Sequence, residues 1–286
     1  MIIDRVEVMV VEPEEERYTW SHDLGAQYQS NTILGAERTT VPAYASTPMY
    51  TSIDEYIAVS ESLVEQGFRA IKYHTWCIPE DDMALAREAA KRFPDIDLML
   101  DAENNYELRS AVRVAEELAE LGFRWFEAPL PDSDLKGYRH LTSKVAIPIV
   151  PSGNWVRDLS LFEECVASGA WSASRADVVI LDGITPARDA MRISTRAGLS
   201  CELMSWGYTL ASAANLHLML SHSNCSYFEQ PLPYNLFEYG MHDVIRPDAQ
   251  GLVHAPTGPG LGYEVDWPAM ERKTIHSLIC DARGVR

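Results

Sequence analysis

DLMLDAENNYELRSAVRVAEELAELGFRWFEAP, residues 97–129, decides the fold. An apolar run, DLMLDA (97–102), closes on the carboxylate Asp101. A strongly helical segment, YELRSAVRVAEELAELG, stops at Gly122, a residue type that ends helices because it tolerates positive φ. A second apolar run, RWFEAP (124–129), holds Glu127. This strand–helix–strand unit repeats outward in both directions. Apolar runs stand at RAIKYH (69–74), DLMLDA, RWFEAP, IPIVPS (147–152), ADVVIL (176–181), SCELMS (200–205) and CSYFEQ (225–230), with starts 28, 27, 23, 29, 24 and 25 residues apart. Each interval accommodates one strand and one helix, and VPAYAS (41–46) makes an eighth run. The intervals carry helix punctuation: SIDE (52–55) is a capping box with Ser52 and Glu55, Gly67 stands at the stop, Pro186 falls at a first helical position, and Gly198 follows the same helix. Such alternation predicts an α/β chain folded as a (β/α)7β barrel of the TIM type.

Composition narrows the function. The chain has 286 residues, 47% of them hydrophobic and 23% charged, values of an ordinary globular protein. With 24 basic against 42 acidic residues its formal charge is -18, which argues against nucleic acid or an anionic membrane as partner. Five cysteines without a CxxC argue against a disulfide framework or zinc ribbon and favour a reducing compartment. The opening MIIDRVEVMVVEPEEERY is too short and too charged for a signal peptide or a membrane span, so a cytoplasmic location is expected. Residues 1–40 read as two or three strands (RVEVMVV, RYTWSH, SNTIL), residues 41–239 as the barrel, and residues 240–286 as a loop-rich segment packing back on it.

In barrels of this type the polar residues at the C-terminal ends of strands carry function. Those ends read Lys72 and His74, Asp101, Glu127, Asn154, Asp177 or Asp182, Met204, and Glu229. Lys72 and His74, two apart in FRAIKYHTW, share one face of a strand and would be costly to bury without partners. Asp101 alone could be a helix cap, and Glu127 alone a paired core carboxylate; together, one strand apart, they favour a site. Carboxylates in this arrangement suit Mg²⁺, whereas the Asn154 amide adds an oxygen without charge. His217 and His222, in ANLHLMLSH, read as helix residues rather than ligands.

The motifs IKYHTW, LMLDAENNY, WFEAPLP, VPSGNW, DGIT and PTGPGLGYEVDW, in this order, resemble the mandelate racemase/muconate lactonizing enzyme branch of the enolase superfamily. The resemblance covers residues 41 to about 270, and more weakly the first 34, which are similar to the opening strands of that family's capping domain. It implies a Mg²⁺-dependent lyase or isomerase that abstracts the α-proton of a hydroxy acid or acid sugar, in the manner of a dehydratase. Lys72 then takes the place of the base and His74 that of the second basic residue. Asp101, Glu127 and Asn154 match the metal-ligand positions, and Glu229 matches a residue that polarises the substrate carboxylate. Family members also resemble one another in forming homo-oligomers.

Three departures stand beside this match. Asn154 replaces a glutamate, and Glu103 could supply the missing charge or be a solvated loop residue. Met204 occupies the place of a histidine, which leaves Asp177, matched to that histidine's aspartate partner, without one. The capping domain reads as a short remnant. These departures support an alternative, a catalytically degenerate relative serving as a binding or scaffold barrel.

Overall fold

The computed structural model describes residues 34–273 and two short strands beyond them, Cys280–Asp281 and Gly284–Val285. The expected strands RVEVMVV and RYTWSH, and all but the last residue of SNTIL, lie outside the described residues.

Eight parallel strands alternate with seven helices as a (β/α)7β barrel. The strands are β1 (Thr40–Thr47), β2 (Ala70–His74), β3 (Asp97–Asp101), β4 (Trp125–Glu127), β5 (Ile149–Val150), β6 (Ser174–Ala176), β7 (Cys201–Leu203) and β8 (Phe228–Pro231). The helices between them are α1 (Ile53–Glu65), α2 (Pro79–Arg92), α3 (Leu108–Glu120), α4 (Leu135–Thr142), α5 (Leu159–Ala167), α6 (Ile184–Arg196) and α7 (Thr209–Ser221). Beyond the eighth strand, β9 (Leu252–His254) pairs antiparallel with β1, and α8 (Trp267–Lys273) follows.

Local chemistry explains the elements. Ser52 Oγ accepts the Glu55 N–H and caps α1, while the Glu55 carboxylate turns back to the N–H and hydroxyl of Thr51. Helix α3 buries Ala111, Val114, Ala115 and Leu118, a stripe at helical spacing that packs on the sheet. Fully burying a Val or Leu of such a stripe contributes about 1.5–3 kcal/mol. Pro186 is the third residue of α6 rather than the first, a place still inside the turn whose N–H groups lack helical partners.

Hydrogen bonding is continuous through β5-β4-β3-β2-β1-β8, whereas β6 and β7 pair only with each other. Side-chain alternation places every second residue inside the barrel. At its N-terminal end Tyr44, Ala70, Met99, Trp125, Val150 and Ala173 form an apolar plug. Above that plug the even-numbered strands contribute Lys72, Glu127, Arg175 and Glu229, each no more than 3% exposed. Interior layers drawn from alternate strands are the barrel's normal packing, but bulky apolar side chains usually fill them. Here one layer is ionic.

The sixth strand departs from expectation. The apolar run VVIL, within the predicted strand 176–181, is a turn, and the strand is Ser174–Ala176. The Asp177 carboxylate accepts the Val179 N–H, and the backbone closes on itself through Leu181 N–H to Asp177 O and Gly183 N–H to Val178 O. Val178 and Leu181 are buried while Val179 is 62% exposed, so the run packs as a turn rather than as a pleat.

Candidate active site

The barrel mouth is built where β2, β3 and β4 end together. Their register aligns His74 with Asp101 and Asp101 with Glu127, so all three side chains lie on the same interior face. Lys72 lies two residues before His74 on the same strand face, in the ionic layer with Glu127. Its Nζ lies 3.2 Å from Asp101 Oδ2, 3.0 Å from Glu127 Oε1 and 3.0 Å from Glu229 Oε1. Arg175, from β6, bonds Glu127 Oε1 at 3.0 Å, Glu229 Oε2 at 3.1 Å and the Tyr44 hydroxyl at 3.2 Å. Glu229 accepts further bonds from Ser46 Oγ and the Ser205 N–H, and Glu127 Oε2 accepts the Trp125 indole N–H.

The electrostatics follow from this packing. Burial does favour the neutral amine, but Glu127 and Glu229, with Tyr44 and Asp101, outweigh it and hold Lys72 well above the usual lysine range. Burial likewise works against a charged Asp101, yet Lys72 and His74 overcome it and hold the carboxyl below its ordinary range. For Glu127 burial wins over Arg175 and Lys72, and the carboxyl is pushed up to about 7. For Glu229 the two cations win over burial and lower it to about 2.

His74 is fixed from both sides. Its Nδ1 lies 2.6 Å from the Thr47 carbonyl oxygen, which can only accept, so Nδ1 carries the proton. Its Nε2 faces Asp101 Oδ2 at 3.1 Å and Glu103 Oε1 at 3.2 Å. Glu103 reaches this place because Asp101 Oδ1 accepts the Glu103 N–H, and the chain then turns through left-handed conformations at Glu103 and Asn104. Among the described residues, His74, Asp101 and Glu103 are the one group of three such side chains whose ligand atoms all lie within 4.8 Å of one another.

The far side of the mouth differs. Asn154 is exposed, because Asp132 takes the Ser152 N–H and hydroxyl and the Trp155 N–H, leaving the asparagine on the outside of the turn. Gly153 holds that turn at φ +77, with its Cβ position 3.2 Å from Arg175 Cβ. Asp177 follows β6 directly, as motif spacing predicts, and Asp182 lies in the turn beyond; burial raises the Asp177 carboxyl despite the Val179 N–H. Met204, 8% exposed, is placed at the end of β7 by a bond from its N–H to the Ala176 carbonyl. His217 is buried in α7 with Nε2 on the Leu261 carbonyl, as a packing residue would be. Arg175 is the residue that sequence reading passed over. Its signal was an arginine among small residues in SASRAD, hidden because the neighbouring apolar run imitates a strand.

The donor set fits a hard divalent cation. In this network Asp101, Glu103, Glu127 and Glu229 set four carboxyl groups against two permanent cations, Lys72 and Arg175, and against His74, whose burial favours the neutral ring but is outweighed by Asp101, which raises its pKa. Buried or half-buried carboxylates left in excess at a strand end are what such an ion neutralises. Asp101 and Glu127 supply oxygens of the right kind, whereas Asn154 would have to turn inward to contribute.

Comparison with known proteins bears on this site. Residues 55–269 match the family described as Enolase C-terminal domain-like. An o-succinylbenzoate synthase of Geobacillus kaustophilus is 26% identical over 245 residues, covering 84% of this chain and 64% of the relative. A D-galactarolactone cycloisomerase of Agrobacterium fabrum is 25% identical over 256 residues, covering 84% and 67%. Among solved structures, a protein of Pseudovibrio sp. assigned to the mandelate racemase/muconate lactonizing enzymes superposes with a TM-score of 0.83 at 36% identity, covering 85% of this chain and 66% of that one. D-glucarate dehydratase from Agrobacterium tumefaciens, complexed with magnesium, superposes with a TM-score of 0.74 at 28% identity, covering 84% and 67%. The chain therefore spans about two thirds of the length of these relatives.

Proposed function

Because the chain belongs to the enolase C-terminal domain-like family, we propose that it is a Mg²⁺-dependent lyase or isomerase that handles the α-proton of a small hydroxy acid or acid sugar, in the manner of a dehydratase. One observation carries the reading: His74, Asp101 and Glu127 are brought into register at the mouth, with the Lys72 ammonium against both carboxylates.

The residues divide the work. Asp101 and Glu127 would hold the ion, with Asn154 at the third position the resemblance implies. A divalent cation there would oppose the charge of an enediolate and take up two of the three carboxylates that hold the Lys72 proton. Lys72 rests as an ammonium, so before it can accept a proton from carbon it must be released from that cage. His74 presents Nε2 at the mouth, beside the place a substrate carboxylate would enter. Glu229, anchored by Ser46, Ser205, Lys72 and Arg175, keeps its charge and position through the cycle. Met204 carries no proton, so chemistry on the opposite face of the substrate, as two-base racemisation requires, has no donor there.

The test is a calorimetric titration of metal-stripped protein with Mg²⁺, alongside NMR measurement of α-proton exchange in D₂O for a panel of acid sugars, with Asp101→Asn as control. Saturable binding and exchange, both lost in the control, are expected. A folded protein that binds no Mg²⁺ up to millimolar concentration and exchanges no proton would leave the second reading, a non-catalytic barrel. That reading draws on the caged Lys72 and on Met204.

A further inference from the structure

Trp206 lies in the loop from β7 to α7, yet its ring meets the His74 ring at the end of β2 edge-on, with centroids 5.1 Å apart. In the barrel β8 and β1 stand between those two strands, and β1 pairs with both β8 and β2. The indole therefore bridges two strand ends to reach the imidazole. A tryptophan is among the side chains most worth covering, but this one stays 43% exposed.

The ring is held in place before anything binds. Phe237 also meets it edge-on, at 5.3 Å. Phe237 is fixed in turn, because its carbonyl accepts the Thr209 N–H at 3.2 Å and it follows the short 3₁₀ turn Tyr234–Leu236. The Arg246 guanidinium lies 3.9 Å from the centre of the Tyr234 ring and pairs with Glu238, which closes the buttress. An aromatic surface set in advance costs little ordering entropy on binding.

A substrate whose carboxylate sits beside His74 Nε2 must carry the rest of its body past this indole. Apolar surface placed there would take water off both partners. Hydroxyl groups placed there would give up water for few partners, because the nearby loop carboxylates are already engaged. Asp132 accepts the Ser152 N–H and hydroxyl, and Asp177 accepts the Val179 N–H.

We infer that Trp206 is a specificity-determining residue of this site: its indole packs against the body of the substrate and selects a 2-hydroxy acid with an apolar or aromatic body over one covered in hydroxyls. The inference rests on the reading that a carboxylate enters beside His74, and it narrows the substrates of that reading. The contact is made at the rim, so the side chain can be changed without disturbing the buried ionic network.

The experiment is calorimetric binding of three 2-hydroxy acids, lactate, 3-phenyllactate and gluconate, to the full chain in the presence of Mg²⁺. Lactate and 3-phenyllactate differ by the ring alone, and gluconate carries the hydroxyls. Phenyllactate should bind about tenfold more tightly than either of the others and should shift the tryptophan fluorescence. Trp206→Ala should bring phenyllactate to about the affinity of lactate while leaving lactate unchanged, and Trp206→Phe should keep most of the preference without the fluorescence shift. Circular dichroism confirms the fold of each variant. A preference for phenyllactate that survives Trp206→Ala would overturn the inference. Gluconate binding most tightly, untouched by Trp206→Ala but lost in Asp101→Asn, would overturn it and leave the proposed function standing. No binding of any of the three acids would overturn both.

Discussion

The two arcs of the barrel mouth are made differently. From β2 to β4 the ladder is unbroken and the strand ends carry Lys72, His74, Asp101 and Glu127 in register, each charge met by another. From β5 to β7 the ladder is interrupted, and the strand ends carry an exposed Asn154, an Asp177 spent on its own turn, and Met204. The first arc gathers the titratable groups; the second braces them through one side chain, Arg175, which reaches across the interior to Glu127 and Glu229. An interior this charged depends on its partners more than on its strand pairing.

Breaking that cross-strut should have the largest effect. Arg175→Met leaves Glu127 and Glu229 short of a buried partner, and removing one member of a buried ionic network typically costs about 3–5 kcal/mol. Urea unfolding should show the midpoint fall accordingly; an unchanged midpoint would mean that the arcs are independent. Gly153→Ala sharpens the same point with a smaller loss. At φ +77 a Cβ costs about 1–2 kcal/mol, and this one also meets Arg175 Cβ at 3.2 Å, so the unfolding free energy should drop by at least that amount.

The second arc also predicts an acid dependence unconnected with the site. Burial holds His217 below the ordinary histidine range, with only the Leu261 carbonyl opposing it. A group with a depressed folded-state pKa lets the unfolded chain take up its proton first, so the stability it confers is present above the unfolded value of about 6.5 and is lost as pH falls from there through the lower folded-state value. Thermal melts from pH 8 to pH 5 should decline, and His217→Asn should flatten the decline; an equal slope in both proteins would exclude this histidine. Smallest of all, Met204→Leu is a near volume-conserving exchange and should change stability by less than about 1.5 kcal/mol. It should leave metal binding unaltered, and a loss of binding would show the quieter arc to be part of the site.

The sequence disclosed these arcs unequally, for physical reasons. Asp101 and Glu127 were legible because a carboxylate closing a long apolar run is costly unless it has a task, and the run itself has the length of a strand. His74 was legible as the neighbour of Lys72 by the two-residue period. The place of Glu103 was not legible, since its approach to His74 depends on a left-handed turn at Glu103 and Asn104 that residue types do not announce. Arg175 was missed because β6 is only Ser174–Ala176, too short to show a period, while the turn after it is more apolar than the strand. The elevated proton affinity of Lys72 was out of reach for another reason: it is the sum of carboxylates from three strands, and no local window contains them.

The ionic layer also bears on how the chain finds its fold. A strand that slips by one residue exchanges its two faces. On β2 such a slip would carry Lys72 into the apolar shell of helices and bring Ile71 or Tyr73 among the carboxylates of Glu127 and Glu229. An all-aliphatic interior would tolerate the exchange with modest loss, and misaligned barrels would compete with the correct one. Charges placed on alternate strands make such a slip expensive on each strand that carries one, so the layer specifies strand alignment as well as holding the interior together.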